Sequence, residues 1–309
     1  MQYNRRVEKS FFQTEAWGEF KCRFGWQVDR VQSLLELRRR LPLGRSMRYF
    51  PELPYLPEVL QIVQTITTTP KKGGEIYARF EFLEPFSEEK AAELAKLGLV
   101  KSFEEVQPEW RQRVNIAGSE EDILTAMKPK GRYNIGVAER SGLAVTSGGA
   151  ELSKDFFALY AFTSARTGFS GRGLAYFQEL IKVLVDNNVG EVILIKKGND
   201  LLAGGVFLYY DGTASYLYGG SMGDRSLMAP YLLHWEAMKR AKARNCHIYD
   251  LLAVAPTEAS EQHPYAGLTR FKSQFGGQTV QMLGSWDLVQ SRFWYTMYRF
   301  VETRRRGNL

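Results

Sequence analysis

The chain has 309 residues, 44% apolar and 24% charged, with a formal net charge of +7. That balance excludes a disordered chain, and the length suits two folded domains better than one. Two distant cysteines exclude a disulfide scaffold or a structural zinc site, and the modest positive charge favours anionic partners such as phosphorylated molecules, nucleic acid or an anionic membrane surface.

No apolar run follows the opening residues, and no segment reaches membrane-spanning length, so a cytoplasmic protein is expected. In chain order, Thr14 is placed to cap a helix that Gly25 ends. Lys21 projects from it beside Trp17 and Phe20, though a solvated surface lysine is the plainer reading of that pattern. Strands are expected over 28–37 and 45–50, then a helix over 56–68. A turn at 72–74 leads to a strand over 75–83, whose alternating Ile76, Ala78, Phe80 and Phe82 suit one buried face. Ser87 caps a helix to residue 97, and a strand pair spans 103–115. Ser119 caps the first of one or two helices up to Arg140. Lys128, Lys130 and Arg132 lie among them, suited to a phosphate or to a solvated helix junction.

The second half opens with a strand over 143–146 and a helix over 153–163. The loop ARTGFSGRG follows, where Arg166 and Arg172 could clamp an anionic group or stand solvated. A helix over 174–186 and three strands over 192–197, 201–210 and 214–219 come next. Gly204 and Gly205 interrupt the middle strand, signalling a bulge or the close approach of a ligand. Pro230 starts a helix with a Leu232, Trp235 and Met238 stripe, and a strand carries Asp250 near its end. His247 reads as structural. Residues 267–276, GLTRFKSQFG, read as a compact turn that sets Arg270 and Lys272 between glycines and aromatics. The chain ends with an aromatic helix that packs back on the first domain. The two halves repeat one plan of antiparallel strands, helix and strand, as a duplicated α/β unit would, with a groove between the copies.

Several blocks carry a resemblance over almost the whole chain. They are QTEAWGEFK with FGW, KPKGRYNI, TGFSGRGLAYF, AGGVFLYYDGTASYLYGGS, PYLLHWEAMKRA, IYDLLAV and GLTRFKSQFGG followed by Trp286 and Asp287. In their order and spacing the chain resembles the Fem family of peptidoglycan-bridge aminoacyltransferases, in a compact form without the family's helical arm. The resemblance implies tandem GNAT-like α/β domains, set here as 1–145 with 284–309 and 146–283. It implies transfer of an amino acid from charged tRNA to an amine of the stem peptide of UDP-MurNAc-pentapeptide or lipid II. No cofactor or metal is implied. A monomer is expected, in peripheral contact with the inner face of the membrane.

By motif, the resemblance puts Phe271 and Lys272 at the reacting centre, with Lys272 facing the developing oxyanion. Lys21 and Arg172 match positions that contact the acceptor's phosphates. Trp17, Asp250, Arg270 and Tyr218 complete the substrate-binding candidates. Two other classes fit the residues. One is a GNAT-type N-acyltransferase that uses acyl-CoA, for which Gly171–Gly173 is a fragment of the phosphate loop. The other is a non-catalytic protein that binds tRNA or a cell-wall precursor.

Overall fold

The computed structural model describes residues 9–69, 73–168 and 171–307. Lys72 of the expected turn, and Phe169 and Ser170 of the expected arginine-bearing loop, lie outside the described residues. In chain order the elements begin with α1 (Glu15–Arg23), β1 (Gln27–Val31), β2 (Leu34–Leu41), β3 (Arg45–Leu53), α2 (Pro57–Thr68), β4 (Glu75–Pro85), α3 (Glu88–Lys96), β5 (Val100–Lys101) and β6 (Trp110–Asn115). They continue with α4 (Glu120–Ala126), α5 (Pro129–Arg140), β7 (Ala144–Gly148), α6 (Ser153–Thr167), α7 (Leu174–Asp186), β8 (Gly190–Lys197), β9 (Asp200–Tyr210) and β10 (Thr213–Ser221). The last are α8 (Ala229–Ala243), β11 (Ile248–Ala253), α9 (Ala266–Lys272), β12 (Gln278–Val289) and α10 (Arg292–Gly307).

Contacts divide the chain into two units, Met1–Glu109 with Gln281–Leu309, and Trp110–Val280. Residues 110–145, expected with the first unit, group with the second. The reason is pairing: β6 forms an antiparallel ladder with β11, and α5 packs on α8.

In the first unit β1, β2 and β3 are antiparallel, β3 and β4 are parallel, and β12 is antiparallel to β4. The helix α2 makes the crossover that the parallel pair requires. Its Val59, Ile62, Val63 and Ile66 recur at helical spacing and are buried. They pack with Phe50, Phe80, Phe82 and Trp286. Caps fall where the side chains place them: Thr14 accepts from the Trp17 amide, Ser87 from Lys90 and Ser119 from Asp122. The strand expected over 28–37 is instead two strands, because Gln32 turns the chain with φ 54°.

In the second unit the sheet order is β6-β11-β10-β9-β8-β7, and only the β10–β11 pair is parallel. The helix α8 is its crossover, so each unit carries the same strand–helix–strand device. The helices α6 and α8 cover opposite faces of this sheet. A Cβ at Gly204 would meet Leu159 of α6, whereas its neighbour Gly205 lies under Tyr216, whose ring meets His234 of α8. Gly204 therefore admits a helix and Gly205 an aromatic ring, not a ligand; Gly220 admits the same helix, since a Cβ there would stand 2.4 Å from the Leu159 carbonyl oxygen. The ladder shifts register in β9 itself, at Leu202 beside Ala203, and in β10 between Tyr216 and Tyr218. Among the described residues no helix is long and apolar enough to cross a membrane.

Candidate active site

The stretch expected as a turn is a helix. Nothing caps α9 at Tyr265 by side chain; Thr269 secures it instead, its hydroxyl donating to the Tyr265 carbonyl and accepting from the Ala255 amide, each at 2.8 Å. A tight turn over Ser273–Phe275 follows, and Gly276 and Gly277 leave it at φ 77° and 75°. These positions demand glycine twice over, by conformation and by space, since a Cβ at Gly277 would stand 2.1 Å from the Arg113 carbonyl oxygen.

This anchoring fixes Lys272 at the end of the helix with only 3% of its surface exposed. Its ammonium donates to the Ala253 carbonyl at 2.8 Å. Burial pushes the Lys272 pKa down to about 7, while the charge of Asp250 works in the other direction. At neutral pH the group is thus divided between ammonium and amine. Arg270 stands two residues away, about 200° around the helix, and is exposed to solvent. Periodicity thus separates the two basic residues that sequence set side by side.

Asp250 is buried on β11. One carboxylate oxygen accepts from the Leu252 amide at 2.7 Å. The other lies 3.6 Å from Arg111 and 3.7 Å from Arg113, both on β6. Leu252 itself has φ 54°, a left-handed conformation unusual for leucine, immediately before the carbonyl that holds Lys272.

Phe271 is half-buried in an aromatic box. Its ring meets Tyr231 at 5.1 Å, Phe275 at 5.4 Å and His234 at 5.5 Å between centroids. His234 is buried and bonds Tyr249 Oη through Nδ1 at 2.7 Å. Burial first, and then the neighbouring positive charge of Lys272, push its pKa down to about 3, so it is a neutral imidazole. His234, Tyr249 and Tyr231 went unnoticed in the sequence. The signal was there in part, since His234 lies inside the apolar stripe of α8 where solvation cannot explain it.

Arg172 and Tyr218 form a second cluster in the same unit. Arg172 is exposed before α7, with its guanidinium 5.1 Å from the Tyr176 ring and its amide donating to Tyr160 Oη at 3.3 Å. The hydroxyls of Tyr176 and Tyr218 are 3.2 Å apart. Arg166, expected in the same loop, is instead in the last turn of α6. The basic segment at 128–132 belongs to a helix junction: Arg132 donates to the carbonyls of Leu124 and Thr125 that end α4, and Lys128 to Ser273.

Lys21 and Trp17 belong to the first unit. Trp17 is buried, and the Lys21 ammonium lies 5.4 Å from its ring and 5.0 Å from that of Trp26. The structure therefore gathers the candidates into three groups: Lys272 with Phe271 and Asp250, Arg172 with Tyr218, and Lys21 with Trp17. Among the described residues no cluster of three His, Cys, Asp or Glu side chains could hold a metal ion.

Comparison with known proteins extends this picture. A solved structure, the crystal structure of FemX, superposes with a TM-score of 0.83 at 16% identity and covers 94% of this chain and 95% of that one. The fold class is the expected one, mixed α/β of the GNAT-like kind. A UDP-N-acetylmuramoylpentapeptide-lysine N(6)-alanyltransferase of Weissella viridescens is 31% identical over 113 residues, 36% of this chain and 33% of that protein. A lipid II:glycine glycyltransferase of Staphylococcus haemolyticus is 23% identical over 68% of this chain and 65% of its own length. These matches thus take in less than two thirds of either relative. The model of the FemAB family matches residues 92–189 and 186–303. With its two stretches covering more than half of the sequence, this chain belongs to the FemAB family.

Proposed function

We propose that the protein is an aminoacyltransferase that moves an amino acid from aminoacyl-tRNA to an amine on the stem peptide of a peptidoglycan precursor. The observation that carries this is Lys272, buried beside the half-buried Phe271 at the end of α9 and held by one backbone carbonyl. Family membership supplies the reaction class, and the two relatives' names supply the acceptors, UDP-MurNAc-pentapeptide and lipid II.

In this reaction the acceptor nitrogen attacks the ester carbonyl of the charged tRNA. A carbon–nitrogen bond forms, the ester carbon–oxygen bond breaks, and the ribose hydroxyl leaves with the proton that the amine gives up. The donor is already activated, so no covalent enzyme intermediate is needed. What the protein must supply is placement and a home for the developing negative charge. Lys272 does the second. An oxyanion beside a buried lysine favours its protonated form, so a pKa near 7 rises as the charge develops. The charge of Asp250, which Arg111 and Arg113 flank, favours the ammonium before substrate arrives. Phe271 and its aromatic box shape the site around the acyl group. Lys21 and Arg172, each stacked on aromatic rings, are cations with pre-placed stems suited to the precursor's phosphates. The protein acts as a monomer at the cytoplasmic face of the membrane.

The test is a transfer assay. A panel of charged tRNAs and acyl-CoA donors is offered with UDP-MurNAc-pentapeptide and with lipid II. Amide product from at least one charged tRNA is expected. Product from acyl-CoA with none from any charged tRNA would overturn the proposal.

A further inference from the structure

The last helix has two unlike faces. One seats it: Tyr295 and Tyr298 pack on Tyr77 and Phe103, and Tyr295 donates to Asp287 at 2.7 Å. The other carries Phe293, Met297, Phe300 and Val301, exposed by 67%, 44%, 51% and 55%. At about 100° per residue these four fall within roughly a quarter to a third of the helix circumference, so they form one stripe. Single exposed hydrophobics need no explanation, but four on one face of one helix do.

We propose that this stripe of α10 is a docking surface for an anionic lipid bilayer, with the helix lying in the plane of the interface. Charge selects this occupant. Arg304 falls within the stripe by helical position, its guanidinium 4.1 Å from the Phe300 ring, and Arg292 and Arg299 are exposed on the same helix. Two copies packed stripe to stripe would bury each Arg304 guanidinium against the other's apolar stripe, which carries no carboxylate to pair it. A lipid surface removes that conflict: the apolar side chains enter the acyl boundary while the guanidinium reaches the headgroups. Anionic headgroups are favoured further by the overall charge of +7. The inference rests on the helix alone and stands or falls independently of the transfer chemistry.

The experiment is co-sedimentation of the full chain with phosphatidylcholine vesicles, with and without about one-third phosphatidylglycerol. The wild type is expected to pellet with the anionic vesicles and to be released by salt. Phe293→Glu with Phe300→Glu should weaken partition by about a hundredfold, since each substitution removes a large exposed side chain that would enter the bilayer and adds a repelled charge. Its thermal melt and its transfer to a soluble acceptor should stay as in the wild type. Should that variant melt early, Met297→Glu reads the same loss with a smaller change. Equal partition of wild type and a folded variant overturns the proposal. So does absence of vesicle binding, whether or not sedimentation velocity reveals a dimer that the substitutions dissolve.

Discussion

Each unit buries a cation near a carboxylate, and the two cases are opposites. In the first, Arg79 is fully buried and donates to both oxygens of Asp287, at 2.7 and 2.8 Å. Glu104 takes a third hydrogen bond, and the rings of Tyr77 and Phe103 cover the guanidinium at 5.0 and 5.4 Å. Burial works against this charge, yet the hydrogen bonds and charge of Asp287 outweigh it, and the pKa is raised. In the second unit, Lys272 has one hydrogen bond, to the neutral Ala253 carbonyl. The carboxylate that raises its pKa, Asp250, is committed to Leu252 and the two arginines. Burial therefore wins, and Lys272 falls to about 7. The first arrangement is finished, with each of its three nitrogens bonded to a carboxylate, as a structural pair must be. The second keeps donor capacity in reserve, which is what a group serving a transient charge requires.

Breaking the finished pair should have the largest effect on stability. Arg79→Met leaves Asp287 buried without its cation and should cost about 3–5 kcal/mol in chemical denaturation. A loss under about 1 kcal/mol would mean that the pair is not the closed structural unit described. A pH-dependent effect, small at neutral pH, sharpens the other side. The folded Lys272 has a pKa near 7 against an ordinary value of 10.5. Between these values the unfolded chain holds the extra proton, so wild-type stability rises with pH through that window. Relative to Lys272→Met, the wild type should gain up to about 1.4 kcal/mol per pH unit between them, and nothing below pH 7. Melting curves of the two proteins that run parallel from pH 6 to 10 would show that Lys272 is not held in the state described.

Local signals were legible in the sequence and tertiary ones were not. Thr14, Ser87 and Ser119 named their helices because a cap is decided within a few residues. The α2 stripe was readable by its period for the same reason. The helix α9 was hidden because it has no side-chain cap, contains Gly267, and is secured by Thr269 to a distant amide at Ala255. The turn at Gln32 was hidden because a residue other than glycine holds the positive φ. At the site, the resemblance picked out Lys272, but its burial could not be read from a residue type that is nearly always exposed. His234 was masked by the apolar stripe that contains it, and Arg111 and Arg113 gained their meaning only when β6 paired with β11.

We propose that Lys272 serves the transition state and not the bound substrate. The direct measurement is turnover in tRNA-dependent transfer beside precursor affinity, for the wild type and Lys272→Met. Removing one such donor should lower kcat by about 10²- to 10³-fold. Precursor Kd should stay within about threefold, as expected for an interaction made only in the transition state. Equal losses in kcat and affinity would contradict the account and make Lys272 a binding residue.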